Sequence, residues 1–364
     1  MSTAKIDPRL EAIGLSPENT HWLNAKENFF SLHGVFYAED EGLYRRVPKS
    51  VAESVGKGVS SLSYRTSGGR IRFLTDSPFI SLRATLPAFK PLANMSITLT
   101  HGFSLYTDGK FEQRFSPRFD SFISNVDFTN PFSSSITFES SYKLFGAAKG
   151  TRLCELYFPL YGGVRDLEIG ISKGSVISKA PDYKIKKPIV FYGSSITQGA
   201  CVSRPGNDYL AVLARMLDAD YVNLGFSGSG NAENGIIDYM SSLDASLYAY
   251  DYNLYDDRPD RVLPPHFSIY ERIRNARPNT PIIFCDKPFY DYDTTYERRR
   301  DMIKNSYQKA LLAGDGLVGI IPTEAMFGNE DRDSCAADDS HPNDLGAFRM
   351  ANAIYPVAKR LISK

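Results

Sequence analysis

Three residues in two distant segments of the chain have the types and spacing of a hydrolytic site. The first, Ser195, follows the apolar run from Ile189 to Tyr192 and lies in the small-residue turn Gly193-Ser194-Ser195. Such a run predicts a central strand of a parallel sheet, buried on both faces. A turn between this kind of strand and a helix lies at the carboxyl edge of an open α/β sheet, where ligands usually bind. A serine there can project its hydroxyl over the edge, although an ordinary glycine-serine loop explains these residues equally well.

The other two residues, Asp338 and His341, lie near the end of the chain, just ahead of a last predicted helix. One turn of backbone can aim both side chains the same way. The carboxylate could then orient the ring while the other ring nitrogen faces a hydroxyl. A lone histidine is more often structural, but together with the serine turn this pair favours nucleophilic catalysis.

Three sequence blocks resemble, in order and spacing, those of the SGNH (GDSL-type) hydrolases. They are Gly193-Ser194-Ser195-Ile196-Thr197, Asn223-Leu224-Gly225-Phe226-Ser227-Gly228 and Asp338-x-x-His341-Pro342. The resemblance covers about residues 186–364. It implies a serine esterase or acyl hydrolase on a flavodoxin-like three-layer αβα fold.

The resemblance also implies a role for each matched residue. Ser195 is expected to be the nucleophile, His341 the general base and Asp338 its orienting acid. The oxyanion hole is expected to consist of the Ser195 and Gly228 amides and the Asn253 side chain. The chain departs from the family pattern at Ser194, where an acidic residue is usual, and at Asp251-Tyr252-Asn253-Leu254, where Gly-x-Asn-Asp is usual.

From about residue 29 to residue 171 the apolar residues recur with period two, which predicts strands with one apolar face. Examples are Ile80, Leu82, Ala84 and Leu86, followed by Ile97 and Leu99 and then by Ile136 and Phe138. Thr107-Asp108-Gly109-Lys110 predicts a tight hairpin, because Asp-Gly tolerates positive φ angles. We therefore expect an N-terminal segment at 1–28 and an antiparallel, jelly-roll-like β-sandwich at 29–180. A linker at about 173–187 would lead to the hydrolase domain at 186–364.

The predicted sandwich could bind sugar or pack against another domain. The segment Gly42-Leu43-Tyr44-Arg45-Arg46-Val47-Pro48 resembles a motif in N-terminal domains of bacterial carbohydrate esterases. Exposed aromatics such as Trp22, Phe36, Tyr37 or Tyr44 could bind sugar. Aromatic residues in a sandwich are more often core, so packing against the hydrolase domain or a dimer contact is favoured.

Strands and helices alternate in the last half of the chain. Strands are predicted at 189–192, 221–224, 246–250, 281–285 and 317–321, and helices at 210–217, 269–275, 296–313 and 345–358. This order predicts a parallel, doubly wound sheet. Pro356 is expected to kink the last helix or end it early.

Composition excludes several classes of function. The 42 basic and 42 acidic residues balance, so bulk charge predicts neither a nucleic-acid nor a membrane partner. The chain has no apolar run long enough for a membrane span and no secretory signal pattern, which favours a cytoplasmic protein. The four cysteines, Cys154, Cys201, Cys285 and Cys335, lack paired metal spacing. Cys201 and Cys335 lie near the catalytic blocks, but incidental placement is favoured over a catalytic thiol. We expect no metal or organic cofactor, and homo-oligomerisation stays open.

The sequence as a whole favours an esterase that removes short acyl groups, above all acetyl, from carbohydrate, with imported acetylated oligosaccharides as substrates. Aromatic residues after strand ends could offer faces to sugar rings, although loop packing is favoured for each one: Tyr252, Tyr255, Phe289, Tyr290 and Tyr292. Alternatives are an acyltransferase and a thioesterase or short-chain lipid esterase acting on a small metabolite. A further alternative, from another class, is a non-catalytic sugar-binding protein.

Overall fold

The computed structural model describes residues 16–90, 92–118, 134–144, 150–252, 265–288 and 296–364. Its strands are β1 (Thr20–Asn24), β2 (Ser31–His33), β3 (Phe36–Ala38), β4 (Leu43–Arg45), β5 (Arg70–Thr75), β6 (Phe79–Pro87), β7 (Phe103–Thr107), β8 (Lys110–Phe115), β9 (Ser135–Lys143), β10 (Arg152–Tyr157), β11 (Asp166–Ser172), β12 (Ile177–Lys179), β13 (Ile185–Gly193), β14 (Ala219–Gly225), β15 (Leu247–Tyr250), β16 (Ile282–Cys285) and β17 (Val318–Ile321). Its helices are α1 (Lys49–Val55), α2 (Lys57–Leu62), α3 (Ile97–His101), α4 (Ser195–Gln198), α5 (Tyr209–Leu217), α6 (Asn234–Ser242), α7 (His266–Ala276), α8 (Tyr296–Leu312), α9 (Thr323–Phe327) and α10 (Asp344–Ile362). We call residues 16–179 the N-terminal part and residues 185–364 the C-terminal part.

Two antiparallel sheets make up most of the N-terminal part. One has the strand order β1-β11-β6-β9, and the other has the order β12-β5-β10-β7-β8, with β2 paired to β5. The period-two pattern of β6 places its apolar residues in the interior: Ile80, Leu82, Ala84 and Leu86 are all buried. They share one hydrophobic core with apolar residues of β5, β7 and β10 in the other sheet. The hairpin predicted at residues 107–110 is confirmed, since β7 pairs with β8 and Asp108 and Gly109 have φ angles of 49° and 76°.

A parallel sheet of order β14-β13-β15-β16-β17 runs through the C-terminal part. The first strand in the chain, β13, is central, and its apolar run is buried on both faces as predicted. Ile189 and Phe191 belong to a core formed with α5 and α10. Val190 and Tyr192 belong to a second core formed with α6 and α7. Helices therefore cover both faces of this sheet.

The strand expected around Ile97 and Leu99 is wrong, because these residues lie in α3. The Ser96 hydroxyl caps that helix by accepting a hydrogen bond from the Leu99 N–H at 3.0 Å. Two alternating apolar residues are too few to distinguish a strand from one capped helical turn.

Pro356 does not end the last helix, which continues to Ile362. Proline has no N–H to donate to the carbonyl four residues earlier in the helix. Because the proline is exposed, water can hydrogen-bond to that carbonyl instead. Buried Ile354, Ala358 and Leu361 hold the helix against the core on both sides of the proline. Tertiary packing therefore overrides the local preference.

The N-terminal part starts earlier than the predicted β-sandwich at 29–180, whose end at residue 180 lies one residue beyond β12. β1 lies inside the segment assigned to 1–28 and pairs with β11 along its whole length. The predicted linker contains β12, which pairs with β5, and its last residues begin β13. The segments that form β1 and β12 contain too few apolar residues to predict a strand from sequence. They join the sheets through backbone hydrogen bonds.

The two parts share their hydrophobic cores. Leu99, Tyr106 and Tyr157 of the N-terminal part lie in the core of α5 and α10. Val47 and Ala52 lie in the core on the opposite face of the sheet. The expectation that the N-terminal part packs against the hydrolase domain is confirmed. In the described residues no helix combines the length and apolarity that crossing a bilayer requires.

Candidate active site

Ser195 lies at the carboxyl end of the central strand, as its sequence position predicted. β13 ends at Gly193, and Ser194 caps the short helix α4, whose first residue is Ser195. The Ser194 hydroxyl accepts a hydrogen bond from the Ile196 N–H at 3.3 Å. Gly193 has no room for a side chain, since a Cβ there would lie 1.8 Å from Oδ1 of Asp251. The sharp turn that presents Ser195 therefore depends on glycine and on a cap.

The carboxyl group of Asp251 ties this turn to the neighbouring strand β15. Its Oδ1 accepts the Ser194 N–H at 3.1 Å, and its Oδ2 accepts the Thr197 hydroxyl at 2.6 Å. The Thr197 hydroxyl also lies 3.0 Å from the Tyr209 hydroxyl. Burial raises the pKa of Asp251 to about 7, although the hydrogen bonds from Thr197 and Ser194 act in the opposite direction. In the sequence, Asp251 stands out only as part of a departure from the family pattern. Its position directly after a buried strand was the available signal.

His341 and Asp338 meet Ser195 from the other end of the chain. The Oγ of Ser195 lies 2.9 Å from Nε2 of His341, and Nδ1 of the same ring lies 2.9 Å from Oδ2 of Asp338. The preceding 3-10 turn at Asp333–Cys335 and the Asn343 cap of α10 bracket this segment. The structure thus brings the three residues predicted from sequence into one hydrogen-bonded chain.

The charge of Asp338 determines which atoms donate and which accept in these hydrogen bonds. Partial burial by itself raises the pKa of the carboxyl group. Hydrogen bonds from the His341 ring and from the Ser340 and His341 N–H groups outweigh that effect and hold the pKa at about 2. An ionised carboxylate can only accept, so Nδ1 of His341 carries a proton. In the neutral ring Nε2 is then the acceptor for the Ser195 hydroxyl.

A residue of the N-terminal part also contacts the Asp338 carboxylate. Nδ2 of Asn94 donates a hydrogen bond to Oδ2 of Asp338 at 3.0 Å. The same segment is held by Ser96, whose hydroxyl donates to the Ser203 carbonyl at 2.9 Å. Asn94 could not be predicted from sequence, because it lies 244 residues from Asp338 and no local pattern connects the two.

The turn after β14, which contains Gly228, packs against the nucleophile turn. The Phe226 N–H donates to the Gly193 carbonyl at 2.9 Å, and the Ser227 N–H donates to Oε1 of Gln198 at 2.9 Å. Gly228 itself has a φ of 66°, in the left-handed region that glycine adopts without strain. The predicted third oxyanion donor, Asn253, lies outside the described residues.

Two N-terminal tyrosines differ in their relation to the site. The Tyr161 hydroxyl donates to the Ser195 carbonyl at 3.4 Å, a contact that sequence analysis did not anticipate. Tyr44, considered as a sugar platform, is 1% exposed and cannot serve as one. Tyr252 is equally buried and stacks on His266. Tyr255, Phe289, Tyr290 and Tyr292 lie outside the described residues.

Of the two cysteines near the predicted blocks, Cys201 adjoins the site. Its Sγ, a carboxylate oxygen of Asp338 and a ring nitrogen of His341 all lie within 4.8 Å of one another. Burial and then the Asp338 charge raise the pKa of the Cys201 thiol to about 11. The thiol is therefore protonated at neutral pH and is a poor nucleophile. Cys335 is fully buried.

A serine hydroxyl hydrogen-bonded to an oriented imidazole, at the end of a central strand, is the arrangement that acyl transfer requires. Comparison with known proteins agrees with this chemistry. Residues 186–359 match the GDSL-like lipase/acylhydrolase family, and residues 20–177 match the N-terminus of SGNH hydrolase-type esterases. The chain belongs to the GDSL-type (SGNH) hydrolases, and it is an ester hydrolase.

Three solved structures show the same overall arrangement. A protein described as a GDSL-like lipase from Bacteroides ovatus is 26% identical, covers 95% of this chain and 98% of its own, and has a TM-score of 0.77. Salicylyl-acyltransferase SsfX3 from a tetracycline biosynthetic pathway is 20% identical, with coverages of 95% and 98% and a TM-score of 0.74. A family two carbohydrate esterase from Clostridium thermocellum is 15% identical, with coverages of 92% and 99% and a TM-score of 0.59. Among proteins with curated functions, none matched the sequence.

Proposed function

We propose that this protein is a serine esterase in which Ser195, His341 and Asp338 form the catalytic triad. The observation that carries the proposal is the 2.9 Å distance between the Ser195 Oγ and the His341 Nε2, with Asp338 on the other ring nitrogen. His341 takes the Ser195 proton as the hydroxyl attacks the ester carbonyl. Asp338 keeps the ring in the tautomer that can accept this proton.

In the proposed mechanism, backbone amides stabilise the tetrahedral intermediate. The donors are the amides of Ser195 and Gly228 together with the side-chain amide of Asn253. Each such donor is worth about 3 kcal/mol in other acyl-transfer enzymes. The alcohol leaves with the proton from His341, and water then attacks the acyl-serine with His341 again acting as base. The scheme requires no metal or organic cofactor.

For the substrate we propose short acyl groups, above all acetyl, on carbohydrate hydroxyls, with imported oligosaccharides as the natural source if the protein is cytoplasmic. We also propose the detailed fold, which is a jelly-roll-like sandwich preceding a flavodoxin-like three-layer αβα domain. The strand order of the parallel sheet, with the first strand between the second and third, supports the flavodoxin-like assignment. The structural likeness to a carbohydrate esterase supports the substrate class by fold analogy alone.

The leading alternative is an acyltransferase, in which another alcohol replaces water in the second step. The fold shared with a salicylyl-acyltransferase favours keeping this alternative, because both reactions pass through the same acyl-serine. Incubation with an acetyl ester and a panel of acceptor alcohols separates the two by product analysis. A thioesterase or short-chain lipid esterase would be identified by its acyl-chain preference. A sugar-binding protein would bind sugar without hydrolysing any ester.

The first test is hydrolysis of p-nitrophenyl acetate, butyrate and octanoate by the wild type, by Ser195→Ala and by a matched control, Ser54→Ala. Ser54 is an exposed serine on α1. We expect acetate to react fastest and only Ser195→Ala to lose nearly all activity. A preference for octanoate would remove the carbohydrate proposal, and wild-type rates in Ser195→Ala would remove the triad.

A further inference from the structure

The Asp338–His341 pair has a third neighbour whose chemistry the esterase mechanism does not use. The Cys201 Sγ lies within 4.8 Å of a ring nitrogen of His341 and of a carboxylate oxygen of Asp338. Thiolate, imidazole and carboxylate are the three ligand types that bind Zn²⁺ in proteins. Within the described residues, this is the one group of at least three such side chains close enough to share an ion.

The backbone holds Cys201 in this place at some cost. Its φ is 66°, in the left-handed region, where a residue with a Cβ is destabilised by roughly 1–2 kcal/mol. The turn that contains it is anchored to the nucleophile helix, since the N–H groups of Gly199 and Ala200 donate to the Ser195 carbonyl at 3.1 and 2.9 Å. The thiol is therefore positioned by the same turn that presents Ser195.

We propose that Cys201, His341 and Asp338 form a binding site for a thiophilic divalent cation such as Zn²⁺ or Cd²⁺, and that occupancy inhibits the enzyme. The consequence for activity rests on the proposed role of His341. On binding, the thiol proton is released to solvent, and the cation takes one lone pair each from sulfur, ring nitrogen and carboxylate. Water completes a four-coordinate shell.

The geometry requires only a small adjustment. Zinc bonds of about 2.3 Å to sulfur and about 2.0–2.2 Å to nitrogen and oxygen put tetrahedral donors about 3.3–3.6 Å apart. The Asp338 Oδ2 and His341 Nδ1 are already 2.9 Å apart. The sulfur, at most 4.8 Å from the other donors, needs to move inward by about 1 Å.

Inhibition follows whichever ring nitrogen binds the cation. With Nδ1 ligated, the neutral ring carries its proton on Nε2 and cannot accept the proton of Ser195. With Nε2 ligated, the Ser195 hydroxyl loses its partner. Mg²⁺ and Ca²⁺ prefer shells of oxygen ligands and are expected to have no such effect.

The test titrates ZnCl₂ into the full-length enzyme in a non-chelating buffer and measures p-nitrophenyl acetate hydrolysis, with each variant normalised to its own metal-free rate. We expect micromolar Zn²⁺ to inhibit the wild type, EDTA to reverse the inhibition, and MgCl₂ to have no effect. Cys201→Ala is expected to raise the inhibition constant at least tenfold. Cys201→Ser keeps the side-chain volume and should behave alike, which guards against a folding artefact. Cys154→Ala, in the antiparallel core, is the matched control and should respond like the wild type.

A second readout does not depend on turnover. Cd²⁺ added to Ser195→Ala should produce cadmium–thiolate charge-transfer absorbance in the ultraviolet, and the double variant with Cys201→Ala should lack this absorbance. Equal Zn²⁺ sensitivity of wild type and Cys201→Ala, or no absorbance with Cd²⁺, would overturn the metal site while leaving the esterase proposal intact. Failure of the esterase proposal would appear separately, as activity that survives in Ser195→Ala.

Discussion

At the scale of single residues, the Asp338 carboxylate is held by more partners than orientation of one ring requires. Besides the His341 ring it accepts the N–H groups of Ser340 and His341, at 2.9 and 2.7 Å, and the Asn94 amide at 3.0 Å. With a pKa of about 2 it remains ionised throughout the neutral and mildly acidic range. It can therefore act as a permanent acceptor for Nδ1 of His341.

Replacing this carboxylate with an amide tests the role. Asp338→Asn keeps the shape but can present an N–H to the ring, which favours the wrong tautomer. We expect kcat for p-nitrophenyl acetate to fall by about three to four orders of magnitude. Asp339→Asn, at the adjacent exposed carboxylate, is the control and should leave kcat unchanged. A loss below about tenfold in Asp338→Asn would show that Ser195 and His341 act as a dyad.

Asp251 should make stability depend on pH. Its pKa is about 7 in the folded protein against an ordinary 3.8, so the folded state holds a proton that the unfolded chain releases. The stability associated with that proton is complete below about pH 4 and is lost as pH rises through about 7. Between pH 5 and pH 8 the free energy of unfolding should fall by about 3 kcal/mol from this group.

Urea denaturation of the wild type and Asp251→Asn at pH 5 and pH 8 measures this effect. The asparagine keeps an acceptor for the Ser194 N–H and does not titrate. The free energy of unfolding of the variant should therefore lack this part of the change between pH 5 and pH 8. Asp339→Asn again serves as the control. Parallel pH profiles for wild type and Asp251→Asn would mean that the folded state does not hold the proton.

At the scale of elements, the second arginine of the Gly42–Pro48 segment, Arg46, connects the two parts through backbone carbonyls. Arg46 is 2% exposed, and its guanidinium donates to the carbonyls of Asn223 and Gly225 at 2.9 and 2.8 Å. It also donates to Arg65 and Leu62 carbonyls at 2.7 and 2.9 Å. The end of β14, and with it the Gly228 turn, is therefore anchored by an N-terminal residue.

The segment that precedes α3 contacts the site more directly, through Asn94. Asn94→Ala removes one hydrogen bond to a charged acceptor at an exposed position, and we expect kcat to fall about fivefold, which corresponds to about 1 kcal/mol. KM should change little, because the lost contact orients Asp338 and does not bind substrate. Steady-state kinetics with p-nitrophenyl acetate provide the measurement.

Asn19→Ala is the matched control for Asn94→Ala, because it also removes one hydrogen bond from the side-chain amide of an exposed asparagine. Nδ2 of Asn19 donates to the Ser172 hydroxyl at 3.1 Å, beside the paired strands β1 and β11. Its kcat should equal that of the wild type. If Asn94→Ala lost no more activity than Asn19→Ala, Asn94 would be an interface contact without influence on the triad.

At the scale of the whole molecule, the shared cores predict that the two parts fold as one unit. Removing residues 1–184 would expose apolar surface on both faces of the parallel sheet, where Leu99 and Tyr157 on one side and Val47 and Ala52 on the other are now buried. We expect the fragment 185–364 to lack cooperative unfolding and esterase activity. Near-ultraviolet circular dichroism and p-nitrophenyl acetate hydrolysis, compared with the full-length protein, measure both. A fragment that unfolds cooperatively at wild-type activity would show that the N-terminal part is dispensable.

The sequence by itself determined the features that depend on neighbours in the chain. The apolar run before Ser195 predicted the central strand, because a segment without polar residues must be buried on both faces. Asp338 and His341 could be paired because they are only three residues apart, so one turn of backbone can aim both side chains the same way. Period-two alternation located β6, and Asp108-Gly109 located a hairpin, for the same local reason.

Only the tertiary structure decided the contacts between residues far apart in the chain. Asn94 meets Asp338, and Arg46 reaches β14, across an interface that no periodicity or motif describes. The same packing overruled local preference at Pro356. It also placed Cys201 beside the Asp338–His341 pair, which its spacing in sequence did not reveal. Local patterns report which face of an element is buried, but the partner of that face depends on how the whole chain folds.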